Sequence, residues 1–347
     1  MSALAHARDG FNTLHTQAPA VALSSLGALA VINACPPFEP VQPSVAILMC
    51  TYNGQAFLAE QLNSIAAQSH HNWTLSVSDD GSQDGTHDLL EACRQRWGGQ
   101  RITLRRGPGR GFAANFLSLS CKADLGADFY AYADQDDLWR SDKLRSALEW
   151  LQRVPADLPA LYCSRTELID ECGRHLGFSP RFNKKTQFAN SLVQSVGGGN
   201  TMVFNRAALE LLREAGAEVD IVSHDWWLYM LVAGCGGRVF YDEQPTVSYR
   251  QHAENILGSN ASWSGRLYRM KMLLTGDFRG WNDINIAALQ GLKHRFTEEN
   301  RKKFDYFVAS RNQWLLPRLI NAWRSGIYRQ TAGGNFGLIL ATLTKRL

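Results

Sequence analysis

Short apolar runs alternate along the first half of the chain with segments in which apolar residues recur at helical spacing. Residues 45–50 form a continuous apolar run, as expected for a strand that is buried on both faces. Strand-like runs at 75–78, 102–104 and 129–133 are each followed by a segment with the period of an amphipathic helix. These four strand–helix alternations predict an α/β fold, with a mainly parallel sheet flanked by helices.

The second half of the chain has a less regular pattern. A helix is predicted to begin near Asp225, and a helical pattern rich in Arg, Trp, Phe and Leu runs from residue 264 onward. We therefore expect a helical C-terminal extension after the α/β domain. Further short strands are predicted at 161–163, 201–204, 239–241 and 247–249.

Residues 1–43 precede the first predicted strand. The apolar stretch at 18–35 is rich in Ala and Ser and contains Pro19, so it is marginal for a membrane-spanning helix. Only Arg8 is positively charged upstream of this stretch, which argues against a secretory signal. We expect residues 1–43 to be a mobile or surface-lying extension.

The net charge of +4 is unevenly distributed along the chain. Residues 261–347 carry 15 Lys and Arg against 5 Asp and Glu, a net of +10, whereas residues 1–260 carry 21 against 27, a net of −6. This asymmetry predicts a domain at 44–260 followed by a basic region that meets an anionic membrane surface. A solvated helical face is the alternative. Nucleic acid is a less favoured partner, because no known nucleic-acid-binding module accompanies the charge.

The seven cysteines are widely spread and show no C-x-x-C spacing. An odd number without metal-ligand spacing argues against a disulfide scaffold and against a structural zinc site. A reducing compartment, and therefore a cytoplasmic location, is expected.

Polar and acidic residues follow three of the predicted strands. The first strand runs into Thr51, Tyr52 and Asn53, the second into Asp79 and Asp80, and the fourth into residues 134–136. The carboxyl ends of parallel strands meet at one edge of a sheet, where ligands bind in open α/β folds. Asp134 and Asp136 are two residues apart, a spacing that lets carboxylates approach one Mg²⁺ or Mn²⁺. A lone D-x-D is usually a solvated turn, but its place at a strand end favours a metal site.

These motifs resemble those of the inverting nucleotide-sugar glycosyltransferases of family 2, which have the Rossmann-like GT-A fold. The final two motifs, His-Asp-Trp-Trp and Tyr-Arg-Gln-His, resemble the rhamnosyltransferase-like members in particular. The likeness covers roughly residues 44–255, and the motifs follow the family order. They occupy residues 45–53, 79–86, 134–139, 224–227 and 249–252.

The resemblance implies a nucleotide site and a metal site. Thr51, Tyr52 and Asn53 would line the nucleoside pocket, and Asp80 would accept hydrogen bonds from a pyrimidine base. Turn capping is the alternative for Asp80.

At the metal site, the resemblance makes Asp136 the direct ligand of Mg²⁺ or Mn²⁺, with Asp134 assisting through the ribose, the metal or water. His252 and Arg250 would make a cationic contact to the diphosphate or the metal, although a lone His is as often structural.

The resemblance also makes Asp225 the general base. The family more often has an acidic residue before this aspartate, where this chain has His224, and an N-cap is the alternative role for Asp225. Trp226 or Trp227 would stack on an apolar sugar face, although their helical spacing predicts that at least one belongs to the core. Asn200 follows a run of three glycines that either approaches the donor sugar or is a flexible connection.

The predicted function is metal-dependent inverting transfer of a sugar, with rhamnose as the candidate, from a dTDP- or UDP-linked donor. The acceptor would be a hydroxyl of a surface-polysaccharide or lipid-linked glycan, at the inner face of the cell membrane. One alternative is a sugar-1-phosphate nucleotidyltransferase, which would need a basic Gly-rich loop after the first strand. The other is a non-catalytic glycan-binding protein on the same fold, which the presence of both Asp136 and Asp225 disfavours.

Overall fold

The computed structural model describes residues 42–123, 126–252 and 277–347. The predicted N-terminal extension, up to residue 41, lies outside these ranges. So do the predicted domain boundary at residue 260 and the beginning of the basic region, which includes three of its predicted cationic residues, Arg266, Arg269 and Lys271.

One sheet contains all nine strands of the described ranges, in the order β3-β2-β1-β4-β8-β6-β9-β5, with β7 paired to β6. The strands are β1 Val45–Thr51, β2 Trp73–Asp79, β3 Ile102–Arg106, β4 Phe129–Ala133, β5 Leu138–Trp139, β6 Ala160–Ile169, β7 His175–Phe178, β8 Val203–Asn205 and β9 Arg238–Arg250.

Strand β1 lies between β2 and β4 and pairs with both in parallel. Its seven residues are all buried, because alternate side chains enter the two layers of the core on opposite faces of the sheet. Ala46 and Leu48 pack in one layer, and Ile47 and Met49 pack in the other. This arrangement brings the carboxyl ends of β2, β1 and β4 to one edge.

The helices cover both faces of the sheet. One core layer contains residues of α3, α6 and α7, and the other contains residues of α1, α2 and α4. The helices of the described ranges are α1 Leu58–Ala66, α2 Thr86–Trp97, α3 Phe112–Lys122, α4 Lys143–Leu151, α5 Phe188–Ser191, α6 Arg206–Ala215, α7 His224–Gly234, α8 Asp277–Leu292, α9 Glu298–Asn312, α10 Leu315–Ser325 and α11 Ala332–Leu343. The predicted α/β class, with a mainly parallel sheet and a helical C-terminal region, is confirmed.

Two details of the second half differ from the prediction. The strands expected at 239–241 and 247–249 are one strand, β9, which runs parallel to β6 through Pro245. A register shift between Ser164 and Thr166 accommodates the irregular segment, so the proline does not end the strand. The strand expected at 201–204 begins only at Val203, after a 3₁₀ turn over Gly199–Thr201.

Among the helices that the structure describes, none combines the length and the apolar character needed to cross a bilayer.

Candidate active site

The turn after β1 is tied to the turn after β2. Asn53 has a left-handed backbone with φ of 49°, which Asn tolerates better than most residues. Its backbone N donates to Ser82 Oγ at 2.9 Å, and its side-chain Oδ1 accepts from Gln83 N at 2.9 Å. Thr51 Oγ1 donates to Asp79 Oδ2 at 2.7 Å. The predicted nucleoside-binding residues of β1 are therefore held on a rigid turn beside the acidic turn of β2, with Tyr52 exposed at 58%.

Asp79 and Asp80 have different partners. Burial alone would raise the pKa of Asp79, but hydrogen bonds from Ser82, Thr51 and the Gly81 backbone outweigh it and lower the pKa. Asp79 is thus a structural carboxylate of the turn.

Asp80 instead accepts from the backbone N atoms of Gly109 and Gly111, at 2.7 and 2.8 Å. It holds the Gly-rich loop after β3 against the end of β2. Its predicted contact with a pyrimidine base would use the remaining acceptor capacity of the carboxylate.

Gln135, the central residue of the D-x-D motif, connects the loop after β4 to the turn after β1. Its Oε1 accepts from Tyr52 N at 2.8 Å, and its Nε2 donates to Tyr52 O at 3.0 Å. Sequence reasoning missed this role, since the motif was judged by its carboxylates. The double hydrogen bond places Asp134 and Asp136 on either side of a fixed residue.

The carboxylates of this loop repel one another. The pKa of Asp134 is raised to about 8 by burial first, and then by the negative charges of Asp136 and Asp225. The pKa of Asp137 is also raised, by burial and by the other two aspartates of the loop. The structure thus places Asp134 close enough to Asp136 and Asp225 for both negative charges to raise its pKa.

Asp137 is fully buried and is not part of the open site. Its carboxylate accepts from Asn200 Nδ2 and from the backbone N of Arg250 at 3.2 Å. Asn200, predicted at the donor sugar, is 3% exposed and binds this protein carboxylate. Lys143, which sequence reasoning also missed, is buried near Asp137. Its Nζ has no hydrogen-bond partner among the described residues. Burial lowers its pKa to about 7, although the charge of Asp137 opposes the shift.

His252 and Arg250 hold the Asp136 loop from two directions. His252 Nε2 lies 2.8 Å from Asp136 Oδ2. Arg250 is 1% exposed, and its guanidinium donates to Glu60 Oε2 at 2.7 Å, to Glu171 O at 2.7 Å and to Asp136 O at 3.1 Å. The structure therefore directs the Arg250 guanidinium at protein oxygens, unlike the diphosphate contact expected from the sequence.

Asp225 is the one residue of helix α7 that is not buried. It lies in the first turn, where a negative charge is favourable, and its Oδ1 accepts from Trp226 N at 2.8 Å. The N-cap position belongs to Ser223, so the N-cap alternative for Asp225 is excluded. The carboxylate is thus at the open end of an otherwise core helix.

Both tryptophans after Asp225 are in the core. Trp226 is 6% exposed and donates from Nε1 to Ser191 O at 2.6 Å, and Trp227 is fully buried. At least one of these tryptophans was expected in the core, and both lie there, because helix α7 is apolar on every other side. Neither ring has the exposed face that stacking on a sugar requires.

His224 occupies an aromatic cage beside Asp225. Its ring stacks on Phe116 at a centroid distance of 3.9 Å and meets the edge of Tyr132 at 4.8 Å. Neither ring nitrogen has a hydrogen-bond partner among the described residues. Burial lowers the pKa of His224 to about 4, despite the opposing effect of Asp225. The imidazole is therefore neutral at physiological pH.

The side chains of Asp134 and Asp136 are suitable ligands for an open metal site, in which water and phosphate oxygens complete the coordination shell. Among the residues that the structure describes, no three or more His, Cys, Asp or Glu side chains group so that they could hold a metal ion. Asp134 and Asp136 instead provide two hard oxygen donors, of which Asp136 also contacts His252. This matches the way Mg²⁺ and Mn²⁺ are bound by one or two carboxylates, with phosphate oxygens and water completing the shell.

The architecture is that of an open α/β fold with acidic residues at the carboxyl edge of its sheet, where such folds bind their ligands. The family model described as Glycosyl transferase family 2 matches residues 46–212. Residues 46–212 therefore form a Glycosyl transferase family 2 domain, and the resemblance to this family drawn from the motifs is confirmed.

Two relatives are similar over different lengths. The chain is 29% identical over 239 residues to the dTDP-rhamnosyl transferase RfbG of Shigella flexneri, a match that covers 65% of this chain and 78% of that protein. It is 31% identical over 108 residues to the UDP-Glc:alpha-D-GlcNAc-diphosphoundecaprenol beta-1,3-glucosyltransferase WfgD of Escherichia coli, which covers 31% of this chain and 40% of that protein.

Two solved structures are more distant. The mannosyltransferase PcManGT from Pyrobaculum calidifontis, in complex with GDP-Man and Mn²⁺, has a TM-score of 0.47 at 17% identity, covering 88% of this chain and 86% of that one. S. aureus TarS 1-349 in complex with UDP-GlcNAc has a TM-score of 0.47 at 14% identity, covering 82% and 93%.

Proposed function

We propose that the chain transfers a sugar, with inversion, from a nucleoside diphosphate donor to a hydroxyl group of a glycan. The observation that carries this proposal is that the negative charges of Asp136 and Asp225 both act on the Asp134 carboxylate, which follows one of the parallel strands at its carboxyl end. Such a cluster is costly without a cation and a substrate that take up its charge. It combines two donors for a metal with a third group suited to accept a proton.

Asp225 is the proposed general base. It would remove the proton of the acceptor hydroxyl, whose oxygen attacks the anomeric carbon from the face opposite the nucleoside diphosphate. The bond from that carbon to the diphosphate oxygen breaks as the new bond forms, so the anomeric configuration inverts. The half-buried position of Asp225 at the start of an otherwise buried helix supports this role, since an acceptor could reach it.

Asp136 and Asp134 are the proposed ligands of Mg²⁺ or Mn²⁺. When bound there, the cation would neutralise these carboxylates and stabilise the charge of the departing diphosphate. His252 would orient Asp136 through its hydrogen bond or join the metal shell. Arg250 and Asn200 fit positioning roles, because their donors fix the backbone of the loop and Asp137 respectively.

The nucleoside is proposed to lie along the turn of Thr51, Tyr52 and Asn53. The exposed Tyr52 ring and the Gly-rich loop held by Asp80 support this location, since both lie at the strand-end edge. Direct recognition of the base by Asp80 remains part of the proposal.

The donor is proposed to be dTDP-rhamnose, because a relative that is 29% identical to 65% of the chain is a dTDP-rhamnosyl transferase. A UDP-linked sugar is the second candidate. The acceptor is proposed to be a lipid-linked or surface-polysaccharide glycan, because WfgD acts on a diphosphoundecaprenol-linked sugar. This acceptor would bring the protein to the cytoplasmic face of the membrane as a peripheral protein.

Two variants test the assigned roles together. Asp225→Asn should bind nucleotide with an affinity within about twofold of the wild type but lose about 10²–10⁴-fold in transfer rate, because the amide cannot accept the proton. Asp136→Ala should abolish the tightening of nucleotide binding by Mn²⁺ in isothermal titration calorimetry.

The matched control is Asp88→Asn, at an exposed position on α2, which should change neither quantity. Full transfer activity in Asp225→Asn would refute the base. Unchanged Mn²⁺-dependent calorimetry in Asp136→Ala would remove the metal assignment. A panel of dTDP- and UDP-linked sugars in the same assay identifies the donor.

A further inference from the structure

Helix α10 presents a row of large apolar side chains to solvent. Leu316, Ile320 and Trp323 are exposed at 58%, 49% and 81%, and they recur at intervals of four and three residues. Residues at this spacing lie on one face of a helix. Trp314, just before the helix, is exposed at 67%. An apolar helical face normally packs on the core, and here it does not.

Helix α11 carries a second row. Phe336, Ile339, Leu340 and Leu343 follow the i, i+3, i+4, i+7 spacing of one helical face and are exposed at 71%, 57%, 37% and 45%. The opposite side of the same helix supplies Leu338 to the core. This helix is therefore apolar on two sides, and only one of them has a partner within the described part of the chain.

The two helices are fixed to each other. Arg318 is 7% exposed, and its Nη1 donates to the carbonyl oxygens of Thr342 and Leu343, both at 3.1 Å. This buried guanidinium joins α10 to the end of α11.

The connection between the two helices is also fixed to the transferase domain. Asn190 Nδ2 donates to Tyr328 O at 2.9 Å, and Gln330 N donates to Gln194 Oε1 at 2.9 Å. The apolar rows are thus held by the folded protein.

The segment that carries the rows has charges of one sign only. Residues 314–347 contain five Lys and Arg and no Asp or Glu. Arg324 and Lys345 are exposed close in sequence to Trp323 and Leu343. A surface that combines exposed tryptophan and aliphatic side chains with uniformly positive charge has the chemistry of a helix pair lying on anionic lipid.

We propose that the face formed by Trp314, α10 and α11, the C-terminal face, docks on the surface of a bilayer containing anionic phospholipid. The apolar rows enter the headgroup boundary, and the exposed Arg and Lys meet the lipid phosphates. The inference deepens the proposed function, because it names the surface that would bring the site to a lipid-linked acceptor. Its physical basis, the exposed rows and the charge, is independent of transfer.

Vesicle flotation of the full chain tests the proposal. The wild type should float with vesicles of phosphatidylcholine and phosphatidylglycerol, less with phosphatidylcholine alone, and less at high salt. Trp323→Glu and Phe336→Glu should each weaken vesicle binding at least about tenfold, because each replaces a large exposed apolar group with a charge repelled by the lipid. Arg324→Gln should weaken binding about fivefold, on the anionic vesicles only.

The matched control is Leu176→Glu, which adds the same charge at an apolar residue of β7 that is 57% exposed. This variant should float as the wild type does. Wild-type protein that stays unbound to the anionic vesicles, or a Trp323→Glu variant that floats unchanged, would overturn the proposal. If the wild type does not float, and light scattering gives a lower particle mass for Trp323→Glu than for the wild type, the C-terminal face binds a second copy of the chain instead of a bilayer.

The two proposals fail separately. Asp225→Asn should float as the wild type does, and Trp323→Glu should keep nucleotide binding in solution. Loss of flotation with intact nucleotide binding therefore concerns the C-terminal face, and loss of transfer with intact flotation concerns the active site.

Discussion

Gly199 lies against the ring of His224, and a single added methyl group there tests how tightly the aromatic cage is packed. A Cβ built on Gly199 would lie 2.9 Å from Cε1 of the imidazole and closer still to Nε2. Carbon atoms in favourable contact are about 3.5–4.0 Å apart, so either the ring or the 3₁₀ turn has to shift.

The imidazole has little room to move. Phe116 stacks on it at 3.9 Å, and the edge of Tyr132 lies at 4.8 Å between ring centroids. Overpacking of this kind costs about 1–3 kcal/mol of folding free energy. The stiffer unfolded chain of the alanine variant would offset only about 0.4–1 kcal/mol of that. We expect Gly199→Ala to be destabilising by about 1–2 kcal/mol.

A double-mutant cycle measured by urea unfolding separates this contact from other effects. In the His224→Ala background the ring is gone, so Gly199→Ala should cost less than about 0.5 kcal/mol. Gly99→Ala is the control, because a Cβ there meets nothing within 4 Å. An equal cost of Gly199→Ala in both backgrounds would refute the proposed contact, since independent sites are additive within about 0.5 kcal/mol.

Two further predictions concern the same region and the Gly-rich loop. The pKa of His224 is about 4 in the folded protein, below its unfolded value of about 6.5, so the unfolded state binds more protons between these values. The free energy of unfolding of the wild type should therefore be highest above pH 6.5 and should fall by about 3 kcal/mol, relative to that of His224→Ala, as the pH decreases to about 4. If the two proteins lose the same free energy of unfolding over this pH range, the prediction is wrong. Asp80→Ala removes the acceptor of Gly109 N, so trypsin should cleave after the exposed Arg110 several times faster. The cleavage rate is measured by mass spectrometry, with Asp88→Ala as the control. Equal rates in the two variants would show that Asp80 does not hold the loop.

Local patterns were sufficient for the sheet that carries the site. The apolar run at 45–50 predicted a strand buried on both faces, and β1 has that environment between two parallel neighbours. Because parallel strands joined by helices end at one edge, the acidic turns after β2 and β4 were correctly expected at the same edge of the sheet as the turn after β1. The period of the side chains is local information, so it can be read from the sequence.

The partners of individual site residues depended on distant parts of the chain. Arg250 lies two residues before His252 in the motif, yet its guanidinium reaches Glu60, 190 positions away in the sequence. Asn200 binds Asp137 and is thereby drawn into the core. A motif identifies such residues, but which group each one contacts depends on the packing of other elements.

The sequence by itself determined the α/β class, the acidic strand ends and the basic C-terminal region. Only the tertiary structure decided which polar side chains of the motifs have protein partners and which apolar helical faces have none. The physical reason is that hydrophobic periodicity determines which residues can share a face of a helix or strand, whereas the burial of that face requires a second surface to cover it. Trp227 and Trp323 are both tryptophans on helices, and the first is fully buried while the second is 81% exposed.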